Sequence, residues 1–351
     1  WAVFTGAQAF VSSLSIVPVF ISLFALRLAL GASESPSFPA NARIVANWFP
    51  NAERGTASAI FNASQYFSLV AFAPLMGWLA QNYGWRSVFL AMGIIGLVGA
   101  AIFWLVVDSP ARHNWISRHE YDHIEKGGAL VNLDRPAAAP QAIRWSSVGQ
   151  LLQNRMLLGI YLAQYCITAL TYFYATWFPI YLIKARGMSL AGAGFASAGP
   201  AIAGFVGGVL GGVASDLLLK KGVPLSRARK TVILLGLVIS CSILLANYTN
   251  SQFFIMMFMS FAFFGKGVAA LGWAVMSDAA PREATGLSGS IFNLFGNAAG
   301  IFTPIGIGYI LAATGNNWDM ALVFVFAHSI VAMISYGFIT GEIKRVVLRP
   351  V

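Results

Sequence analysis

The chain has 351 residues, of which 58% are hydrophobic and 10% charged, with a mean hydropathy of +0.72 and a formal net charge of +10. A water-soluble domain carries about 25% charged residues, so this composition excludes a cytosolic enzyme, a nucleic-acid binder and a disordered chain together. It describes a polytopic membrane protein whose two cysteines, Cys166 and Cys241, lie in apolar runs and imply neither a disulfide framework nor a metal cluster.

A bilayer core takes about 20 mostly apolar residues per helix. On that rule ten segments are expected to span, at 1–16, 18–46, 55–80, 86–107, 154–183, 190–215, 229–248, 251–276, 284–312 and 319–340. They are too long for membrane strands of about 10 residues, so the fold class is all-α. The first segment is short, opens on Trp1, and has no basic leader or small-residue cleavage site. It is expected to be the tail of a helix cut in the middle. The polar stretch 108–153 separates an N-terminal part, 1–107, from a C-terminal part, 154–351. Its histidines His113, His119 and His123 have acids between them. A metal site is one reading; a surface-lying amphipathic helix with a turn-rich linker is preferred.

Of the 22 Lys and Arg, seventeen fall on one side of this map and three, Arg86, Lys184 and Arg186, on the other, while Arg27 and Lys266 lie within spans. The positive-inside rule makes the seventeen-residue side cytoplasmic, and with it the C-terminus and the 108–153 loop. The net positive charge is then topological and calls for no acidic partner.

The two parts repeat each other. Arg54–Asn62 matches Thr285–Asn293 at an offset of 231 (293 − 62), and Pro74 matches Pro304 at 230. Asn82-Tyr83-Gly84-Trp85 echoes Gly315-Asn316-Asn317-Trp318 at 233 (318 − 85). Three matches nearly in register mark an internal duplication of the parallel kind found in transporters built from two similar halves. Six segments in the second part against four in the first lead to the expectation that two helices and the start of a third precede Trp1.

Several residues at membrane depth carry chemistry. Arg27 and Glu34 stand seven residues apart in one segment, nearly two helical turns, so they share a face about 10 Å apart. An intramembrane carboxylate normally faces a cavity and often relays protons, and the structural alternative is an ion pair with another helix. Pro36 and Pro39 are expected to break the helix just past Glu34. Lys266, between Gly265 and Gly267, reads as an anion ligand in preference to a snorkelling lysine. Trp273 either stacks on a sugar face or belongs to the interfacial aromatic belt. Gln65 and Asn293 are the amides expected to contact a polyhydroxy ligand, whereas Asn62, Asn297 and Gln164 could equally join helices. The run containing Gly204, Gly207, Gly208, Gly211 and Gly212 reads as close helix packing, and His328 as structural. No span carries the paired groups an intramembrane enzyme needs, and broken helices with a repeat favour alternating access over a channel.

Arg27 through Glu34, Pro36-Ser37-Phe38-Pro39, Trp48-Phe49-Pro50 and Glu53-Arg54-Gly55-Thr56-Ala57 together resemble the anion:cation symporters of the major facilitator superfamily. So do Phe72–Trp78, Trp177–Leu182, Phe263–Gly267, Leu271-Gly272-Trp273 and Gly341–Arg345; within the family the likeness is closest to bacterial glucarate/galactarate (aldarate) permeases. The resemblance covers essentially the whole chain. It implies a bundle of two pseudo-symmetric six-helix halves, here with ten spans present and the N-terminus truncated, and proton-coupled import of hexaric sugar acids by alternating access. A symporter of aldonates or another organic anion is the alternative. The family's pattern implies proton coupling at Glu34 and Arg27 and sugar-acid contacts at Gln65, Trp273 and Asn293. An acid–arginine pair on the family's first helix falls outside this sequence. The expected partners are a sugar-acid anion, the proton as coupling ion and the lipid bilayer. No cofactor or nucleic acid is expected, and the expected form is a monomer in the bacterial inner membrane.

Overall fold

Hydrocarbon offers the backbone no hydrogen-bond partners, so a spanning chain must satisfy its peptide groups internally. The computed structural model, which describes residues 1–13, 16–50, 54–113, 115–129, 131, 145–281 and 284–348, is helical throughout and has no strand among them. The chain forms two compact units, residues 1–65 with 75–141, and residues 66–74 with 142–351.

The first unit contains α1 (Ala2–Ala7), running on as a 3-10 turn to Ser13, then α2 (Ile16–Glu34) and α3 (Ser37–Trp48). There follow α4 (Arg54–Tyr83), whose middle, 66–74, belongs to the other unit, α5 (Trp85–Val106) and α6 (Arg118–Lys126). Ser117 caps α6 by accepting from the Glu120 N–H at 3.1 Å. Its Ile124 is buried with Ala129 and Val131 beneath Trp48, Ile116 and Tyr121. Among the described residues no three His, Cys, Asp or Glu side chains converge on a metal position.

The second unit contains α7 (Trp145–Gln153), α8 (Arg155–Tyr172), α9 (Phe178–Lys184), α10 (Leu190–Lys220) and α11 (Leu225–Ser240). It continues with α12 (Gln252–Val268), α13 (Gly272–Ala279), α14 (Thr285–Ala313) and α15 (Trp318–Ile334). Several join end to end. A π-helical stretch, Phe173–Trp177, links α8 to α9, and Pro179 explains it. Proline has no N–H, and its ring crowds the carbonyl four residues back, so the preceding turn widens.

Seven rods among the described residues are long and apolar enough to cross a bilayer: Trp85–Val106, Arg155–Lys184, Leu190–Lys220, Leu225–Tyr248, Gln252–Ala279, Gly286–Ala313 and Trp318–Ile339. The last seven of the ten expected segments coincide with these rods. Segment 1–16 yields only the short apolar helix Ala2–Val11. Segment 18–46 is divided at Ser35 and Pro36 into α2, of 19 residues, and α3, of 12. Segment 55–80 forms the 30-residue α4, several of whose side chains fall outside the described residues.

The duplication seen in the sequence is also a duplication of local structure. Pro74 lies inside the 30-residue α4 and Pro304 inside the 29-residue α14. Each helix ends at a glycine of positive φ, Gly84 at 78° and Gly315 at 64°, and the next helix opens on Trp85 or Trp318.

In the second unit, glycines set the spacing of α12. A Cβ on Gly207 would collide with the Phe264 carbonyl oxygen, and one on Gly211 would lie 2.5 Å from that of Val268. On the α12 side Gly267 meets Gly204, and Gly265 meets Gly236 and Ser240 of α11. Small residues thus bring three helix backbones to contact distance. Gly212 has nothing within 4 Å of such a Cβ. Gly207→Leu is therefore expected to cost about 1–3 kcal/mol or more through overpacking, lowering the melting temperature in detergent, whereas Gly212→Leu leaves it within error of wild type. Equal melting temperatures would refute the packing account.

Candidate substrate site

Helix α12 ends at Val268 and α13 begins at Gly272. Between them the Ala270 N–H donates to the Gly267 carbonyl at 2.9 Å and the Leu271 N–H to that of Ala269 at 2.8 Å. The helix is broken rather than bent. Glycine at 272 permits the restart, because a Cβ there would lie 2.6 Å from Gln164 Oε1 and 2.8 Å from the Phe292 ring. Trp273 follows at once. It is 37% exposed and meets Phe292 of α14 edge-on at 4.9 Å between centroids.

Gly289, Asn293 and Asn297 fall at successive four-residue steps, on one face of α14. The Trp273 ring passes 3.5 Å from a Cβ position on Gly289, and Asn293 adjoins the Phe292 that Trp273 touches. Asn297 is committed to protein partners: its Nδ2 donates to the Asn293 carbonyl at 3.0 Å, and its Oδ1 accepts from Tyr172 Oη at 3.3 Å. Gln164 is committed too, donating from Nε2 to Thr168 Oγ1 at 3.2 Å and wedged between Gly272 and Gly296. Half-buried Asn293 differs, since among the described residues no hydrogen bond holds its side-chain amide. Gln164 and Asn297 join helices, one of the two roles the sequence left open for them, and the Asn293 amide lies beside an aromatic face.

Lys266 sits in the last turn of α12, where a cation favours the helix dipole, and is 7% exposed. Its Nζ lies 5.3 Å from the centre of the Phe263 ring. The flanking glycines serve α10 and α11, so close approach of backbone explains them without a ligand. Lys266 does not snorkel to the surface; it is buried within the second unit.

In the first unit α2 ends at Glu34, just before Pro36, where the break was expected. Arg27 and Glu34 share that helix but form no ion pair among the described residues. Arg27 instead places its guanidinium 6.0 Å from the Phe89 ring centre of α5, and Glu34 is exposed. Gln65 lies in α4; its side chain, like that of Asn62, falls outside the described residues.

These broken rods, the duplicated helix pairs and the amide-and-tryptophan face are features of a carrier. A model of the Major Facilitator Superfamily matches residues 1–304. The chain belongs to the Major Facilitator Superfamily. It is 53% identical to the probable galactarate/D-glucarate transporter GudP of Bacillus subtilis (strain 168), over 99% of this chain and 77% of that protein. It is 49% identical to the GudP of Escherichia coli (strain K12), over 100% of this chain and 78% of that one. Among solved structures, a bacterial homologue of the human lysosomal transporter Spinster, in an inward-facing and unoccupied conformation, superposes with a TM-score of 0.63. That match covers 97% of this chain and 80% of the other at 16% identity, a likeness of fold alone. The relatives by sequence are transporters, not enzymes.

One polar network of this superfamily member escaped the sequence reading, which counted Arg229 only as topological charge. Arg229 of α11 donates from Nη1 to Ser215 Oγ at 2.8 Å and Asp216 Oδ1 at 3.2 Å, both on α10. From Nε it donates to Asp278 Oδ2 of α13 at 3.2 Å. The C-terminal segment pins the same helix, with the Val346 N–H on the Ala279 carbonyl at 2.9 Å and Arg345 Nη2 on that of Ser277 at 3.2 Å. The available signal was the rarity of acids: only 12 exist, and Asp216 and Asp278 stand among the basic residues. Because the Arg229 side chain is 12% exposed and Asp216 66%, the arginine matters more than either partner. Arg229→Met is expected to destabilise by about 1–3 kcal/mol and Asp216→Asn by about 0–1 kcal/mol, read as melting temperatures in detergent. The reverse order would show that the network is not centred on Arg229.

Proposed function

We propose that this chain is a proton-coupled symporter that imports hexaric sugar acids, of the galactarate and glucarate type, by alternating access. The observation that carries the reading is the Trp273–Asn293 face, an aromatic plane beside an uncommitted amide, in a chain about half identical to proteins named as galactarate/D-glucarate transporters. Sugar C–H faces pack on indole, and hydroxyls exchange hydrogen bonds with an amide in both directions. Gln65 is offered as a further polyol contact. The halves of the transporter are 1–107 and 154–351, joined by the loop 108–153, with helices preceding Trp1 completing the first half. The surplus of basic residues on one side supports a cytoplasmic C-terminus; an inner-membrane location and a monomeric form belong to the same proposal.

Glu34 carries the proton in this reading, with Arg27 on the same helix face biasing its ionisation. The motivating facts are their positions in α2 and the proline break that follows Glu34. Glu34→Gln mimics a permanently protonated carrier. In proteoliposomes it is expected to abolish accumulation driven by a proton gradient while leaving exchange of labelled glucarate intact. Accumulation at the wild-type level would remove Glu34 from the mechanism.

A diacid brings two carboxylates into a shielded site, and each needs compensation there. Lys266, a buried ammonium on an aromatic ring, supplies positive potential at depth. Lys266→Met is expected to weaken glucarate by about 2–3 kcal/mol, or about 30- to 150-fold, and gluconate much less. The measurement is competition of each against labelled glucarate. Equal weakening of both, or of neither, would assign Lys266 to the architecture of the bundle and leave diacid selectivity elsewhere.

A further inference from the structure

The positive-inside bias leaves three basic residues on the sparsely charged side, and two of them, Lys184 and Arg186, line one cavity of the second unit. That cavity, of about 750 Å3, lies where α9 and α14 end and α15 begins, with Trp177, Tyr181, Trp318 and Asp319 also in its wall. Its volume falls inside the range of about 300–1,000 Å3 typical of small-molecule sites. Charge and aromatic surface meet here.

The aromatic groups form one continuous wall. Trp318 meets Trp177 edge-on at 6.0 Å and Tyr181 at 5.6 Å. Arg186 is preset: its Nε donates to Tyr181 Oη at 3.0 Å, and its guanidinium lies 5.3 Å from that ring's centre. Engagement through Nε keeps the terminal Nη pair for a carboxylate, the bidentate contact that arginine makes best. Lys184 adds a second cation, and Asp319 is the single carboxylate facing them, which leaves the wall net positive. The Trp177 Nε1–H is buried, with no hydrogen-bond partner among the described residues, so Trp177 offers a ligand its ring rather than its donor.

We propose that this cavity is a second, weaker binding site for a polyhydroxylated carboxylate, which captures the sugar acid before it reaches the Trp273–Asn293 face. The ligand class rests on the function proposed above; the existence of an anion site does not. Asn293 and Gly308, which borders the cavity, are fifteen residues apart on α14, or about 22 Å along the helix, so the two sites do not overlap. Indole and phenol faces suit the C–H side of a sugar chain, the two cations suit its carboxylate, and Asp319 is an acceptor for hydroxyls. A net positive wall would also raise the local concentration of an anionic solute, an effect that weakens with salt.

The test uses the purified full chain, with galactarate and the uncharged polyol galactitol as probes. In a Trp273→Ala/Asn293→Ala background, galactarate is expected still to quench the remaining tryptophan fluorescence, less so at 0.5 M salt, while galactitol does not. Adding Lys184→Gln/Arg186→Gln is expected to abolish that residual signal. In proteoliposomes the Lys184→Gln/Arg186→Gln pair alone is expected to raise the KM for galactarate about five-fold or more with the maximal rate within about two-fold. A melting temperature of the Lys184→Gln/Arg186→Gln pair within error of wild type in detergent controls for misfolding. An unchanged KM together with no residual quenching overturns the inference and makes the cavity a cleft in the interfacial aromatic belt, while the transport reading stands. If wild type moves neither galactarate nor glucarate, the transport reading falls, and quenching by galactarate but not galactitol then decides the anion site by itself.

Discussion

Backbone contact at α12 is the constraint on which the second unit depends. With lipid tails as apolar as leucine, helices in a bilayer gain little from hiding apolar side chains and associate by close packing. Gly204, Gly207 and Gly211 of α10, Gly265 and Gly267 of α12, and Gly236 of α11 remove the side chains that would hold three helices apart. Once α12 is held between its neighbours, Lys266 has no route to the surface, and its ammonium is confined inside the unit at 7% exposure. The position of the charge is thus a consequence of the residues on either side of it, which carry no charge themselves.

The break at 269–271 frees the chain beyond it from this packing. Beyond it α13 restarts on Gly272, against Gln164 and Phe292, with a different set of neighbours. Trp273 is delivered to the face of α14 by that restart. Its far end is tied down by Arg229 and by the C-terminal segment at Ser277 and Ala279. Helix α13 is therefore short, fixed at its polar end, and joined to α12 by backbone that forms turn bonds in place of helical ones. Such a segment can carry an aromatic side chain into a site without disturbing the glycine-packed core beside it.

Much of this was legible beforehand, for reasons that can be named. Proline breaks were readable because a missing N–H acts locally: α2 stops before Pro36, and the π-helical stretch precedes Pro179. The duplication was readable because the same turn needs the same residues, a glycine of positive φ and then a helix-opening tryptophan. In the first part the stretch 18–46 becomes two helices, α2 and α3, at the break that Pro36 marked in the sequence. The Arg229 network was invisible because its partners lie 13 and 49 positions away on other helices. The glycines around Lys266 read as room for close approach by backbone or ligand, and the structure fills that room with the backbones of α10 and α11.

The cations at or near membrane depth share a partner that is unusual for charge. Arg27 lies over Phe89, Lys266 over Phe263 and Arg186 over Tyr181, at 6.0, 5.3 and 5.3 Å from the ring centres. A carboxylate partner would stabilise each cation more strongly, but it would cancel the field that the cation projects. A ring face lowers the energy of a desolvated cation through its quadrupole and leaves the net charge in place. A carrier of anions needs positive potential inside a low-dielectric body, and a ring face supports a cation there without adding an opposite full charge. The 27 phenylalanines of this chain make such faces abundant.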